Sequence, residues 1–191
     1  MNLKNVMNPV IYYLPGMGGS LNRGLGQGLR DRGLGITGRE TIGEFRKLRF
    51  QDQLDIISED LVREFWTKES RILANSFGAY LFLHAQSQLD SFPGRVLILS
   101  PIVGEFGDEQ TSLNFIPPRS GRLFELAQTG AYPTPANIEA HVGSEDWQSN
   151  PDAVSKLGQM LNFSVTVVPG GGHNLGVSYV SSVLDNWFSE S

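Results

Sequence analysis

Short apolar runs that alternate with stretches of helical periodicity constrain this chain more than any other feature. The runs lie at 10–14 ("VIYYL"), 44–50, 71–74, 95–100 ("RVLILS"), 137–142 and 163–168. Candidate helices fall at 22–32, 53–67, 77–89, 120–129, 151–161 and 174–188. In the second of these, Leu54, Ile57, Leu61 and Phe65 recur at helical spacing, with charged residues on the other face. Strands that alternate with helices imply right-handed crossovers, which place helices on both faces of a parallel sheet. "VIYYL" and "RVLILS" are nearly continuously apolar, as strands buried on both faces are. The expectation is an α/β three-layer sandwich of about six mostly parallel strands. A length of 191 residues suits one such domain with a substantial core. No linker, repeat or low-complexity tract divides it, so 1–191 is read as a single domain.

Composition narrows the function. With a formal net charge of −5 and scattered basic residues, the chain lacks the basic face of a nucleic-acid binder. No cysteine is present, which excludes a disulfide framework, a thiolate nucleophile and sulfur-ligated metal. The three histidines show no metal-ligand spacing, so no metal is expected. No apolar run is long enough to span a membrane, and "MNLKNVMNPVIYYLPG" lacks the pattern of a signal peptide. The expected setting is cytoplasmic, with no membrane and no nucleic acid as partner.

In an open parallel sheet, ligands bind beyond the carboxyl ends of the strands. The residues that follow the runs there are Pro15-Gly16-Met17-Gly18-Gly19-Ser20, Asn75-Ser76-Phe77-Gly78, Gly143-Ser144-Glu145-Asp146-Trp147 and Pro169-Gly170-Gly171-Gly172-His173-Asn174. A serine, an acid and a histidine thus share one edge, in that chain order. The segment "RILANSFGAYLFLHA" runs from strand to helix with almost nothing between, and the serine stands at the junction.

Over nearly its whole length the chain resembles a small, cap-poor α/β hydrolase. Ala74-Asn75-Ser76-Phe77-Gly78 is similar to the G-x-S-x-G nucleophile elbow, with alanine in the first glycine position. The resemblance implies an α/β-hydrolase-like sandwich in which Ser76 is the nucleophile, His173 the base and Asp146 the acid that orients it. It also implies an oxyanion hole from the backbone N–H groups of Met17 and Phe77, with Pro15 where such loops often carry histidine. The implied activity is hydrolysis of carboxylic esters through an acyl-enzyme, with a small-molecule ester as partner and no cofactor. A thioesterase or an amidase would use the same residues, and a non-catalytic binding protein could keep the fold.

Other readings compete at single positions. Glu145 neighbours Asp146, Asp152 suits a helix start, and Asp108 is a remote substitute for the acid. His84 and His141 fall inside a helix and a strand and are read as structural. Gly33-Leu-Gly35-Ile-Thr-Gly38 matches G-x-G-x-x-G but follows a helical, charged segment, so no dinucleotide site is expected. The glycines at 24–28 are read as permitting a loop or close packing. Only 101–119 could form a rim, so an open groove for small or exposed acyl groups is expected, with Phe106, Phe115 and Trp147 as candidate walls. A deep lipase-type pocket is not.

Overall fold

The computed structural model describes residues 10–108 and 113–189. Its main sheet has six strands: β1 (Val10–Leu14), β2 (Gly35–Gly38), β3 (Arg71–Asn75), β4 (Arg95–Leu99), β7 (Asn137–Gly143) and β8 (Ser164–Val168). They run parallel in the order β2-β1-β3-β4-β7-β8. The helices are α1 (Leu25–Asp31), α2 (Gly43–Lys47), α3 (Phe50–Glu64), α4 (Phe77–Gln86), α5 (Arg122–Gln128), α6 (Pro151–Leu161) and α7 (Val177–Ser189). A small antiparallel hairpin, β5 (Phe106–Asp108) with β6 (Leu113–Phe115), occupies the segment expected to be irregular.

The period-two geometry of strands divides the core cleanly. Tyr12, Leu14, Ile72, Ala74, Val96 and Ile98 join the cluster built with α3, α4, α5 and α6. Their neighbours Ile11, Tyr13, Leu73, Leu97 and Leu99 join the opposite cluster, against Leu29 of α1 and Leu184 and Trp187 of α7. Each central strand is therefore apolar throughout because both of its faces are covered. That is the three-layer sandwich.

The second strand is not where its apolar pattern placed it. Residues 44–50 form α2 and the start of α3, and the edge strand is the glycine-bracketed "GITG" at Gly35–Gly38. Those glycines let β2 lie against β1: a Cβ at Gly38, where φ is 146°, would sit 1.9 Å from the Tyr13 carbonyl oxygen. The G-x-G-x-x-G match is thus an edge strand and its approach. Beside it, Arg39 clamps Asp60 of α3 through Nε–Oδ2 (2.6 Å) and Nη2–Oδ1 (2.7 Å), and the Tyr12 hydroxyl donates to the same carboxylate at 2.8 Å.

His84 lies deep in this core, 1% exposed, with its ring 4.3 Å from that of Tyr80 and 5.3 Å from that of Phe50. Neither ring nitrogen finds a hydrogen-bond partner among the described residues. Burial, aided by Arg119 and Arg122, pushes its pKa down from 6.5 to about 3. Between those values the unfolded chain binds a proton that the folded chain refuses, so stability falls as pH drops through that window. His84→Phe is expected to flatten the acid limb of a urea-unfolding pH series by up to about 1.4 kcal/mol per pH unit. An unchanged slope would show that His84 does not set it.

Candidate active site

Ser76 occupies the junction between β3 and α4 with φ 53° and ψ −121°, a conformation that non-glycine residues rarely hold. Its backbone is pinned on both sides. The Ser76 N–H donates to the Leu99 carbonyl (3.0 Å), and the Ser76 carbonyl accepts from Ala79, Tyr80 and Ile102. Gly78 is required two residues on, because a Cβ there would lie 2.1 Å from the Leu14 carbonyl oxygen and 2.4 Å from that of Pro15. Ala74 is fully buried in the strand. Asn75 turns its Oδ1 to accept from the Tyr13 hydroxyl at 2.8 Å.

The acid and the histidine come from the loops after β7 and β8, which are zipped together. Ser144 N–H donates to Val168 O (2.9 Å), Glu145 N–H to Gly171 O (2.8 Å), and Gly170 N–H to Ser144 Oγ (2.8 Å). Gly143 makes this approach possible, since a Cβ there would fall 2.1 Å from the Gly171 carbonyl oxygen. Asp146 is 1% exposed. Its Oδ1 accepts from the N–H groups of Gln148 (3.1 Å) and Ser149 (3.0 Å).

His173 joins the two halves. Its Nε2 is 2.8 Å from Ser76 Oγ, and its Nδ1 is 3.0 Å from each carboxylate oxygen of Asp146. Burial pushes the Asp146 pKa up, but the His173 hydrogen bond and those from Ser149 outweigh it and hold the carboxyl below its usual 3.8. With Asp146 ionised, Nδ1 carries the proton and Nε2 faces the serine as an acceptor. A hydroxyl so placed can lose its proton as it attacks a carbon.

The loop after β1 reaches the same point. A Cβ at Gly16 would lie 3.1 Å from Ser76 Cβ. Thr41, 4% exposed, holds the loop in shape: its hydroxyl donates to the Gly16 carbonyl and accepts from Gly19 N–H (3.0 Å), while Gly18 N–H donates to Thr41 O (3.3 Å). Met17 sits in this loop, about half exposed. Phe77 is the first residue of α4, so its N–H has no acceptor within its own helix and stands at the positive end of the helix dipole.

No protein-family model matches the chain, and no curated protein matches it in sequence. Solved structures do match it. The ydeN gene product of B. subtilis superposes with a TM-score of 0.66 at 14% identity, covering 96% of this chain and 100% of its own. A hydrolase structure from Xanthomonas campestris pv. campestris, assigned to the alpha/beta superfamily, gives 0.59 at 15% identity over 97% and 100%. A carboxylesterase structure from the thaumarchaeon Nitrososphaera gargenis gives 0.63 at 14% identity over 95% and 90%. This chain has the α/β-hydrolase fold.

Within this hydrolase fold a cleft of about 470 Å³ opens where Ser76 and His173 stand. The helices α1 and α7 wall it. Phe106, Phe115 and Trp147, expected as walls, do not line it. The hairpin instead turns those rings on one another, Phe106 lying 5.0 Å from Phe115 and 5.8 Å from Trp147, with Phe77 6.4 Å from Phe115. Position after a strand end does not say on which side of Ser76 a ring lies.

The competing residues lie elsewhere. Glu145 is exposed, and only its backbone joins the network described above. Asp152 falls in the first turn of α6, whose cap is the Asn150 side chain, accepting from Ala153 N–H at 3.1 Å. The side chain of Asp108 lies outside the described residues. His141 Nδ1 is 2.8 Å from the Tyr179 hydroxyl, and His84 is in the core, so neither reaches the site. Among the described residues no three acidic or histidine side chains gather in a way that could hold a metal ion. Sequence reasoning missed Thr41 and also Ser149, which is 1% exposed with its Oγ 3.3 Å from His173 Nδ1. Neither carries a local signal; each matters only through contacts distant in sequence.

Proposed function

We propose that this protein is a serine hydrolase that cleaves carboxylic esters through an acyl-enzyme. The observation that carries the reading is the unbroken hydrogen-bonded line from Ser76 Oγ through the His173 ring to a buried, ionised Asp146. Ser76 attacks the ester carbonyl while His173 Nε2 takes its proton. The carbonyl oxygen becomes an oxyanion held by the Met17 and Phe77 N–H groups, each worth about 10²–10³ in rate. His173 then gives the proton to the departing alcohol, leaving the acyl group on Ser76. Water, deprotonated by the same nitrogen, attacks the acyl-enzyme, and the proton returns to Ser76 as the acid leaves. Asp146 holds the tautomer and stabilises the imidazolium throughout. This chemistry calls for no cofactor. The carboxylesterase among the structural neighbours supports the ester as the bond cleaved, and a chain without cysteine fits a cytoplasmic setting.

The expected result is steady hydrolysis of p-nitrophenyl acetate that a fluorophosphonate extinguishes with time, together with weaker turnover of the matched acetanilide. Hydrolysis indifferent to the fluorophosphonate would remove the acyl-enzyme.

A further inference from the structure

Gly28 has no backbone reason to be glycine. It sits inside α1 without positive φ, and glycine is the poorest helix former after proline. Its companions in the Gly24–Gly28 run are accounted for. Gly24 has φ 56°, and a Cβ at Gly26 would lie 2.5 Å from the Leu21 carbonyl oxygen. At Gly28 an added Cβ would meet nothing within 4 Å, because this residue lines the cleft that reaches Ser76. A glycine that weakens its helix and leaves open space beside a reactive serine points to something that fills the space.

Two helix faces bound that space. Leu25, Gly28 and Arg32 lie along one side of α1 and its C-cap, at intervals of three and four. Val177, Val180 and Leu184 do the same on α7. Leu99 and Leu175 complete an apolar middle. The end nearest the reactive groups is polar: Ser76, His173, Asn75 and Ser100 line it, and the buried Ser100 hydroxyl has no partner among the described residues. At Arg32, Nη2 donates to Ser181 O (3.0 Å), Ser181 Oγ (2.6 Å) and Asp185 Oδ1 (2.8 Å), tying α1 to α7. That cation is already matched by Asp185, so it does not call for an acidic group on a ligand.

We infer that this cleft binds the apolar chain of a medium-chain ester, with the ester group at its polar end beside Ser76. The inference rests on the serine-hydrolase reading and narrows its substrate class. From Leu25 to Arg32 the α1 axis advances about 10 Å. An apolar wall of that length suits an alkyl chain of medium length lying beside the helix. The cleft's volume falls within the range of pockets that take a whole small ligand.

The test is the ratio of kcat/KM for a long over a short substrate, measured on two series. These are p-nitrophenyl octanoate against p-nitrophenyl acetate, and octyl acetate against ethyl acetate. Gly28→Phe and Val180→Phe fill the cleft from opposite helices, so a folding fault in one does not decide the outcome. In at least one series the ratio is expected to fall about tenfold in both variants, the scale on which a hydrophobic pocket distinguishes chain lengths. A fall in the octanoate series places the chain on the acyl side; a fall in the octyl series places it on the alcohol side. A change under threefold in every variant that folds, in both series, overturns the inference and leaves the hydrolase reading standing if hydrolysis still depends on Ser76. Hydrolysis that survives Ser76→Ala overturns both.

Discussion

Ser76→Ala is expected to lower the turnover of p-nitrophenyl acetate by about 10⁶, with little change in KM. In the proposed mechanism the hydroxyl is the atom that bonds to the acyl carbon, and none of the neighbouring hydroxyls is placed to replace it. Ser149 Oγ lies on the Nδ1 side of His173, 3.3 Å away, so it is remote from the nitrogen that would receive its proton. Ser100 Oγ has no base within hydrogen-bond distance among the described residues. On the proposed mechanism, binding and the two oxyanion donors remain in the variant and leave a residual acceleration over water of about 10³–10⁴. The substitution keeps the backbone hydrogen bonds that pin residue 76, so the fold is expected to survive and the loss to be chemical. A deficit smaller than about 10² would mean that another group carries the reaction.

Asp146→Asn is expected to cost about 10⁴ in kcat. The aspartate accepts from His173 Nδ1 through both oxygens at 3.0 Å and from two backbone N–H groups. An asparagine in the same place presents an NH₂ group to Nδ1, which stabilises the tautomer with its proton on Nε2. That proton blocks the nitrogen that must accept from Ser76. The backbone donors favour the asparagine oxygen at the position of Oδ1, which fixes the wrong orientation. Glu145→Gln, by contrast, leaves turnover nearly unchanged, because Glu145 is exposed and takes part through its backbone N–H alone. Steady-state kinetics of the two variants separates the acids; the opposite ranking would move the acid from 146 to 145.

The central sheet and the nucleophile turn were legible because their signals are local. A strand buried on both faces is apolar throughout, and a serine wedged between such a strand and an apolar helix marks a sharp turn that exposes its hydroxyl. Alignment of Ser76, Asp146 and His173 at one edge followed from parallel topology, which puts every strand's carboxyl end on the same side. The edge strand was not legible. Its residues Gly35 and Gly38 serve close approach to β1 and carry no apolar pattern, whereas 44–50 has apolar residues that belong to helices. The cleft was equally hidden, since it depends on how α1 and α7, about 150 residues apart in the chain, lie beside each other on one face of the sheet. Nor does sequence position show how the rings of Phe106, Phe115 and Trp147 pack on one another, which is a tertiary fact.

The most direct measurement is peptide mapping of the protein after reaction with a fluorophosphonate. The mechanism above puts one phosphonyl group on Ser76, formed as fluoride leaves, and none on the Ser76→Ala variant. An adduct on another serine with equal speed, or labelling undiminished in the variant, would contradict it. The α/β-hydrolase fold would remain, but the line from Ser76 to Asp146 would no longer explain its chemistry.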